Sequence, residues 1–196
     1  TASICDMACP FCSRQYIATP DKLIDNDLCY NLLDQAGELN VPAIKFSWRG
    51  EPLFHPELPR FISHAKKRGI LETAINTNGQ ALSPQTIDDL IESGLDCLIV
   101  SIDTTSEENY TIQRPGRFKD YSLKDLEQNL KNIQERKREK NAPWPMVIIR
   151  FTVLSDFDKE STLRKFSHFV DHISFANYTE RGGKHEFLNK HQKELL

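Results

Sequence analysis

Short apolar runs alternate with amphipathic stretches along almost the whole of this 196-residue chain. The apolar runs predict six β-strands, at residues 1–4, 43–47, 71–76, 97–102, 146–154 and 173–177. Apolar residues at helical spacing predict five helices between them, at residues 21–39, 57–68, 84–93, 122–138 and 158–170. Such alternation forms a parallel sheet with right-handed crossovers. The sequence therefore predicts an α/β fold, either an open doubly wound sheet or a full or partial βα barrel.

Glycine-rich phosphate-binding patterns do not follow any of these strands. Neither Gly-x-Gly-x-x-Gly nor Gly-x-x-x-x-Gly-Lys occurs after a predicted strand, so the dinucleotide-binding version of an open sheet loses support. We expect only a short turn at residues 105–110, and we assign no element to the polar residues 179–196.

Polar side chains collect where the predicted strands end. In a βα barrel the active site lies at the carboxyl ends of the strands. The residues there are Cys5 and its loop, Trp48-Arg49-Gly50-Glu51-Pro52, Asn76-Thr77-Asn78-Gly79, Ser101-Ile102-Asp103, Arg150 with Thr152, and Asn177 with Tyr178. We expect the functional site on this rim, since the helices show no comparable density of polar groups.

Three cysteines crowd into eight residues, as Cys5-x3-Cys9-x2-Cys12. Three thiolates at this spacing can bind a cubic iron–sulfur cluster and leave its fourth iron open to a substrate or cofactor. The chain has five cysteines, and an odd count does not suit a disulfide framework. The pattern indicates a metal site in a reducing compartment, for which we expect the cytoplasm.

Two other cysteine-based sites are open alternatives. A zinc site wants four protein ligands and would need a distant partner such as His55 or His64. A simple electron-transfer ferredoxin would normally supply a fourth cysteine, whereas Cys29 and Cys97 stand in apolar contexts typical of buried small residues.

Charge and hydropathy exclude some broad classes of function. The formal net charge of -3 argues against a general nucleic-acid binder. No apolar run is long enough to cross a bilayer, and no signal peptide is visible, so we expect no membrane partner. Because the chain lacks an initiating Met and an obvious final element, we expect a fragment of a longer protein.

The cysteine spacing, with Phe11 just before the last cysteine, resembles the signature of the radical S-adenosylmethionine (radical SAM) superfamily. Arg49-Gly50-Glu51-Pro52 is similar to that family's Gly-Gly-Glu-Pro motif, with Arg in place of the first Gly. Asn76-Thr77-Asn78-Gly79 and Val100-Ser101-Ile102-Asp103 resemble its third- and fourth-strand sequences. The resemblance covers residues 1–178 and implies the family's partial (β/α)6 TIM-like barrel.

The resemblance also implies a reaction. Cys5, Cys9 and Cys12 would ligate a [4Fe–4S] cluster, whose open iron would take the amino and carboxylate groups of S-adenosylmethionine (SAM). Reductive cleavage would give a 5′-deoxyadenosyl radical that abstracts hydrogen from a small-molecule or peptide substrate. Peptide modification and sugar or alcohol dehydrogenation are the implied outcomes, with flavodoxin or ferredoxin as external reductant. No catalytic residue is assigned.

The same resemblance implies roles for the residues around SAM. Gly50 and Glu51 would hold its ammonium group, with Pro52 stiffening the turn. Arg114 would bind its carboxylate, since an arginine suits bidentate carboxylate binding; the alternative is an exposed arginine.

Other rim residues keep two interpretations each. Phe11 would lie near the adenine or pack within its loop, and Ser101 would meet a ribose hydroxyl or bond to backbone. Asn76 and Asn78 would support SAM or only form turns. Arg150 would contact substrate, SAM or an internal acid, or lie on the outer face of the sheet.

The end of the chain and the overall function have alternatives too. Residues 171–178, followed by Arg181-Gly182-Gly183, resemble the join to a cysteine-rich auxiliary domain of the SPASM or twitch type, so residues 179–196 would be an extension leading towards it. No cysteine follows Cys97, which would put such a domain beyond residue 196. The alternative function is a non-catalytic iron–sulfur or zinc module for electron transfer or scaffolding, which would need neither Glu51, Ser101 nor Arg114.

Overall fold

Five parallel strands form a single sheet in sequence order, β1 to β5. In this computed structural model the described residues are 1–153, apart from 17 and 19, and 158–177. The strands are β1 (Ala43–Lys45), β2 (Glu72–Thr77), β3 (Cys97–Ser101), β4 (Met146–Val153) and β5 (His172–Asn177). Strands in this order, each followed by a helical crossover, build the predicted partial barrel.

One helix precedes the first strand and the others lie in the connections between strands, and all but one begin after a residue whose side chain accepts a hydrogen bond from the first turn. They are α1 (Asn26–Glu38), α2 (Leu58–Lys67), α3 (Pro84–Glu92), α4 (Glu107–Gln113), α5 (Leu123–Glu139) and α6 (Lys159–Phe166). Ser83 and Ser122 each accept a hydrogen bond from a backbone N–H of the first turn, as N-caps do. Gly69 and Gly94 follow α2 and α3 with positive φ, the conformation that ends a helix most readily at glycine.

The hydrophobic core lies between the helices and one face of the sheet. Alternate strand residues such as Leu98, Val100, Ile149 and Phe151 are fully buried there, because successive side chains of a strand point to opposite faces. The residues between them point to the other, inner face. That inner face is therefore free to line a cavity rather than a packed core.

The predicted first strand is wrong for the described structure, which has five strands rather than six. Residues 1–4 form only an isolated antiparallel bridge, between Ala2 and Leu23. They still run beside the end of β1, where Thr1 Oγ1 donates to the carbonyl of Phe46 at 3.1 Å. β1 has only three residues, so it offers few backbone N–H and C=O groups with which residues 1–4 could form a strand ladder at this edge.

Two helix predictions also need correction. The turn predicted at residues 105–110 is the start of α4, which Ser106 caps by accepting from the N–H of Asn109. In α1, Leu28 and Leu32, two of the regularly spaced apolar residues that predict this helix, are exposed, and only Cys29 and Leu33 are buried. The helix therefore packs through a narrower stripe than its leucine content suggests.

The predicted boundary between residues 178 and 179 falls at the limit of the described part of the chain, so it stays a prediction, as does the extension at 179–196. Tyr178 lies outside the described residues as well. None of the helices described is both long enough and apolar enough to span a bilayer.

Candidate active site

A cavity of about 470 Å³ opens at the carboxyl ends of the strands. Ten of the eleven predicted site residues line it: Cys5, Cys9, Phe11, Cys12, Gly50, Glu51, Asn76, Asn78, Ser101 and Arg114. The exception is Pro52, which is buried at the start of the short 3-10 turn Pro52–Phe54. The fold thus brings together strand ends and loops that are far apart in the chain.

The cysteine loop is held by the segment that follows α4. The N–H of Ala8 donates to the carbonyl of Pro115 at 2.8 Å, and the N–H of Arg117 donates to the carbonyl of Asp6 at 2.7 Å. Between these two bonds, Met7 pairs with Gly116 in an isolated bridge. The loop is thereby fixed from outside while its cysteines line the cavity.

The three thiols are free, and burial disfavours the charged form of two of them. It raises the pKa of Cys5 to about 12 and that of Cys9 to about 11, and the Arg114 guanidinium partly offsets the effect at Cys9. Coordination to a metal would deprotonate these thiols outright. Without a metal these two thiols are therefore neutral, and the role of all three cysteines as iron ligands stays a prediction.

The donor set fits a cluster better than a single ion. Cys5, Cys9 and Cys12 line one wall of one cavity, as three separate irons of a cubic cluster require. Within the described ranges, no three His, Cys, Asp or Glu side chains are arranged to hold one metal ion. A tetrahedral zinc site would need such a convergent set.

Asp6 is a site residue that the sequence did not reveal. Its side chain is only 1% exposed, and Oδ1 accepts from the side-chain amide of Asn78 at 2.6 Å. Asn78 also accepts from the N–H of Gln80 at 2.9 Å, which is the turn role predicted for it. Both ends of its amide are thus engaged, and it joins the cysteine loop to the end of β2.

Glu51 fastens the loop after β1 to the end of β2. Its carboxylate accepts from Thr77 Oγ1 at 2.7 Å, from the N–H of Asn78 at 2.8 Å and from the N–H of Leu53 at 3.2 Å. The side chain is 2% exposed, and burial raises its pKa to about 7. Most of its acceptor capacity is therefore used inside the protein, and its predicted contact with an ammonium group stays a prediction.

Gly50 lets the chain start pass close to this loop. A Cβ at Gly50 would collide with the carbonyl oxygens of Ala2 and Ile4, while the N–H of Glu51 donates to the Ile4 carbonyl at 2.8 Å. Only glycine allows such an approach. Cys5 follows directly, so the Gly50 loop helps to position the first predicted cluster ligand.

Arg114 is buried and paired, so the alternative of an exposed arginine is wrong. Its guanidinium forms an ion pair with the fully buried carboxylate of Asp103 and lies 5.9 Å from the centre of the Phe11 ring. Burial alone would lower the pKa of Arg114, but the Asp103 carboxylate raises it. Asp103 also accepts from the N–H of Thr152 at 2.9 Å, and thereby joins β4 to α4.

The inner faces of β3, β4 and β5 contribute side chains to the cavity, among them Ser101, Arg150, Thr152 and Ala176. Ser101, Arg150 and Ser174 lie in register on these three strands, and Arg150 is an exposed side chain that lines the cavity. The outer-face interpretation of Arg150 is therefore wrong. Asn76 adds a buried amide oxygen that accepts no hydrogen bond from the part of the chain that the structure describes.

Thr77 and Asp103 were present in the strand-end sequences but not singled out. Their buried polar contacts could have been suspected from their positions beside Asn76, Asn78 and Ser101. Asp6 gave no comparable signal, because its partner Asn78 is distant in the chain.

A family model described as "Radical SAM superfamily" matches residues 1–164 of this chain. The match covers most of its length, and the chain belongs to the radical SAM superfamily. The family prediction and the fold prediction are both confirmed. The cofactors implied by the family, a [4Fe–4S] cluster and SAM, suit the three thiols and the cavity found here.

Particular relatives share parts of the chain. It is 35% identical over 122 residues to GTP 3′,8-cyclase of Chlorobaculum tepidum, covering 61% of this chain and 36% of that protein. It is 33% identical over 99 residues to PqqA peptide cyclase of Xanthomonas oryzae pv. oryzae, covering 50% and 26%. Streptococcus suis SuiB bound to S-adenosylmethionine has the same fold, with a TM-score of 0.71, 20% identity, and coverage of 93% and 40%. The chain thus spans well under half the length of these proteins.

Proposed function

We propose that this chain is the catalytic core of a radical SAM enzyme. When bound, a [4Fe–4S] cluster and SAM supply reductive cleavage of SAM to a 5′-deoxyadenosyl radical, which abstracts hydrogen from a substrate. The observation that carries the proposal is that Cys5, Cys9, Cys12, Glu51 and Arg114 face one cavity at the carboxyl ends of the strands.

The chain's own groups have distinct parts in this proposal. Cys5, Cys9 and Cys12 hold the cluster, and Glu51 positions the loop whose backbone faces the ammonium group of SAM. Arg114 supplies positive charge beside Cys9, where its attraction favours the thiolate form. These roles need no movement of the strands, because the side chains already line the cavity.

The substrate in this proposal is a small molecule or a peptide. The names of two relatives, GTP 3′,8-cyclase and PqqA peptide cyclase, refer to one substrate of each kind. Arg150 and Thr152 of β4 line the same cavity, so a substrate bound in it would meet these groups. The reductant would be a flavodoxin or ferredoxin in the cytoplasm, and residues 179–196 would lead to an auxiliary domain.

The test is anaerobic reconstitution of the chain with iron and sulfide, followed by dithionite and SAM. We expect chromatography to detect 5′-deoxyadenosine for the wild type and for Cys97→Ser, a matched cysteine change outside the cavity lining. Cys9→Ser should give none. A wild-type chain that holds a full cluster but makes no 5′-deoxyadenosine would refute the proposal and favour a non-catalytic iron–sulfur module.

A further inference from the structure

An exposed aromatic side chain stands beside the cysteine loop. Phe118 is 61% exposed, and the Arg117 guanidinium lies 5.0 Å from its ring centre. Lys22 and Lys119 are exposed near it. We call Lys22, Arg117, Phe118 and Lys119 the Phe118 patch. None of these four residues lines the cavity, so the patch is a surface separate from the predicted SAM site.

Only a few hydrogen bonds and covalent bonds separate the patch from Cys5, the first predicted cluster ligand. Arg117 Nη1 donates to the carbonyl of Cys5 at 3.0 Å, and the N–H of Arg117 donates to the carbonyl of Asp6 at 2.7 Å. Phe118 follows Arg117 directly in the chain. A reductant bound at the patch would therefore lie close to the predicted cluster without entering the cavity. This closeness would favour electron transfer, because the rate of electron transfer falls steeply with distance.

The charge around the patch differs in sign from that of the whole chain. Arg14 and Arg117 both pair with Asp21, and Lys22 is its neighbour in the sequence. Lys22, Arg117 and Lys119 stand against Asp21 and Asp120, a local excess of one positive charge. Arg14, which lines the cavity, adds a second one beside the patch, whereas the net charge of the whole chain is -3. Such an excess attracts acidic partners and speeds their encounter.

The remaining feature of the patch is typical of interfaces. Aromatic residues and arginine are enriched in protein interfaces, and a few such anchors carry most of the binding energy. Phe118 is an apolar anchor, and the basic residues form its rim. Transient electron-transfer contacts are small, which suits a patch of four residues.

We propose that the Phe118 patch is the docking site for a small acidic electron-transfer protein that reduces the cluster. In this step one electron leaves the reduced cofactor of the partner and one electron enters the cluster, with no bond made or broken. The inference rests on the proposed function, because only a chain that carries a cluster needs such a partner.

The experiment compares two reductants on the reconstituted chain. The protein donors are purified flavodoxin in its fully reduced form and, in a parallel series, reduced ferredoxin. Each is mixed with the chain carrying the oxidised cluster, and stopped-flow absorbance follows the reduction of the cluster. Dithionite serves as the small reductant that needs no docking. The variants are Phe118→Ala and Lys119→Glu, with Leu71→Ala and Lys67→Glu as matched changes at exposed positions away from the cavity.

We expect Lys119→Glu to slow reduction by the protein donor at least about tenfold at low salt, since electrostatic steering accounts for rate factors of this size. Phe118→Ala should slow it by a similar factor, because the apolar anchor of the contact is lost. Dithionite should reduce all variants at the wild-type rate, and the two matched variants should behave as wild type with either reductant. Added salt should slow the protein donor with the wild type.

Three results would overturn the proposal. The first is that the protein donors reduce the patch variants as fast as the wild type. The second is that dithionite reduces the patch variants as slowly as the protein donors do, which would mean that the changes damage the cluster site and not a docking site. The third is that neither protein donor reduces the wild-type cluster although dithionite does. Failure of the proposed function is a separate result, in which the wild type gives no 5′-deoxyadenosine with dithionite and SAM.

Discussion

The carboxylate of Glu51 accepts a hydrogen bond from the backbone N–H of Asn78 at 2.8 Å, and thereby joins the loop after β1 to the end of β2. Asn78 in turn donates to Asp6, between the first two cysteines of the cysteine loop. Three segments that are separate in the sequence therefore meet through one asparagine. The relative positions of these three segments therefore depend on buried hydrogen bonds within the protein itself.

Replacing Glu51 with Ala should destabilise the protein. The change leaves the N–H groups of Asn78 and Leu53 without their acceptor, and a lost buried hydrogen bond costs about 1–3 kcal/mol. Urea denaturation followed by circular dichroism measures the free energy of unfolding. Glu160→Ala, at an exposed helix position, should change it by less than about 0.5 kcal/mol. Equal effects of the two changes would show that the Glu51 contacts contribute little.

A methyl group at Gly50 should displace the start of the chain and with it Cys5. Gly50→Ala would push against two backbone carbonyls, those of Ala2 and Ile4, which cannot move without shifting the cysteine loop. We expect less iron bound per chain after reconstitution, as measured by a colorimetric iron assay. Gly69→Ala is the control, because Gly69 has positive φ but nothing near its would-be Cβ. Full iron content in Gly50→Ala would contradict the close approach.

Removing the charge of Asp103 should be more costly than removing both charges of the buried pair. Asp103→Asn leaves the Arg114 guanidinium buried without its partner, which costs about 3–5 kcal/mol. The double variant Asp103→Asn with Arg114→Gln should lose less free energy of unfolding than the two single variants lose when their losses are added. Chemical denaturation of all four proteins closes this cycle, and additive effects would argue against a direct interaction.

The Asp96 carboxylate should make the stability depend on pH. Partial burial alone would raise its pKa, but hydrogen bonds from Lys66 and Thr73 outweigh it and hold the pKa below its usual value. A lowered pKa in the folded state gives stability that is present above the unfolded pKa of about 3.9. That stability is lost as the pH falls through the folded value.

We therefore expect Asp96→Asn to be about 1–3 kcal/mol less stable than the wild type at pH 7. The difference should shrink as the pH is lowered from about 5 to about 3, since protonation removes the same charge from the wild type. Denaturation curves at several pH values measure it. Asp120→Asn, at an exposed position, should show no such trend, and a constant difference for Asp96→Asn would rule out this role of the carboxylate.

The sequence predicts all five strands of the sheet, β1 to β5, and most of the residues that line the cavity, because strand patterns and strand-end motifs are local. It did not predict the partners of the buried polar groups. Asp6 and Asn78 are 72 residues apart, and only the folded sheet brings them together. Helix α4, which replaces the predicted turn, has a local reason instead, since Ser106 and the acidic residues after it are typical of a helix start.

The most direct test of the central claim is electron paramagnetic resonance of the reconstituted, dithionite-reduced chain, recorded with and without SAM. The account predicts the signal of a reduced [4Fe–4S] cluster whose g-values shift when SAM is added, because SAM binds an iron that no cysteine holds. A full cluster whose signal is unchanged by saturating SAM would contradict it.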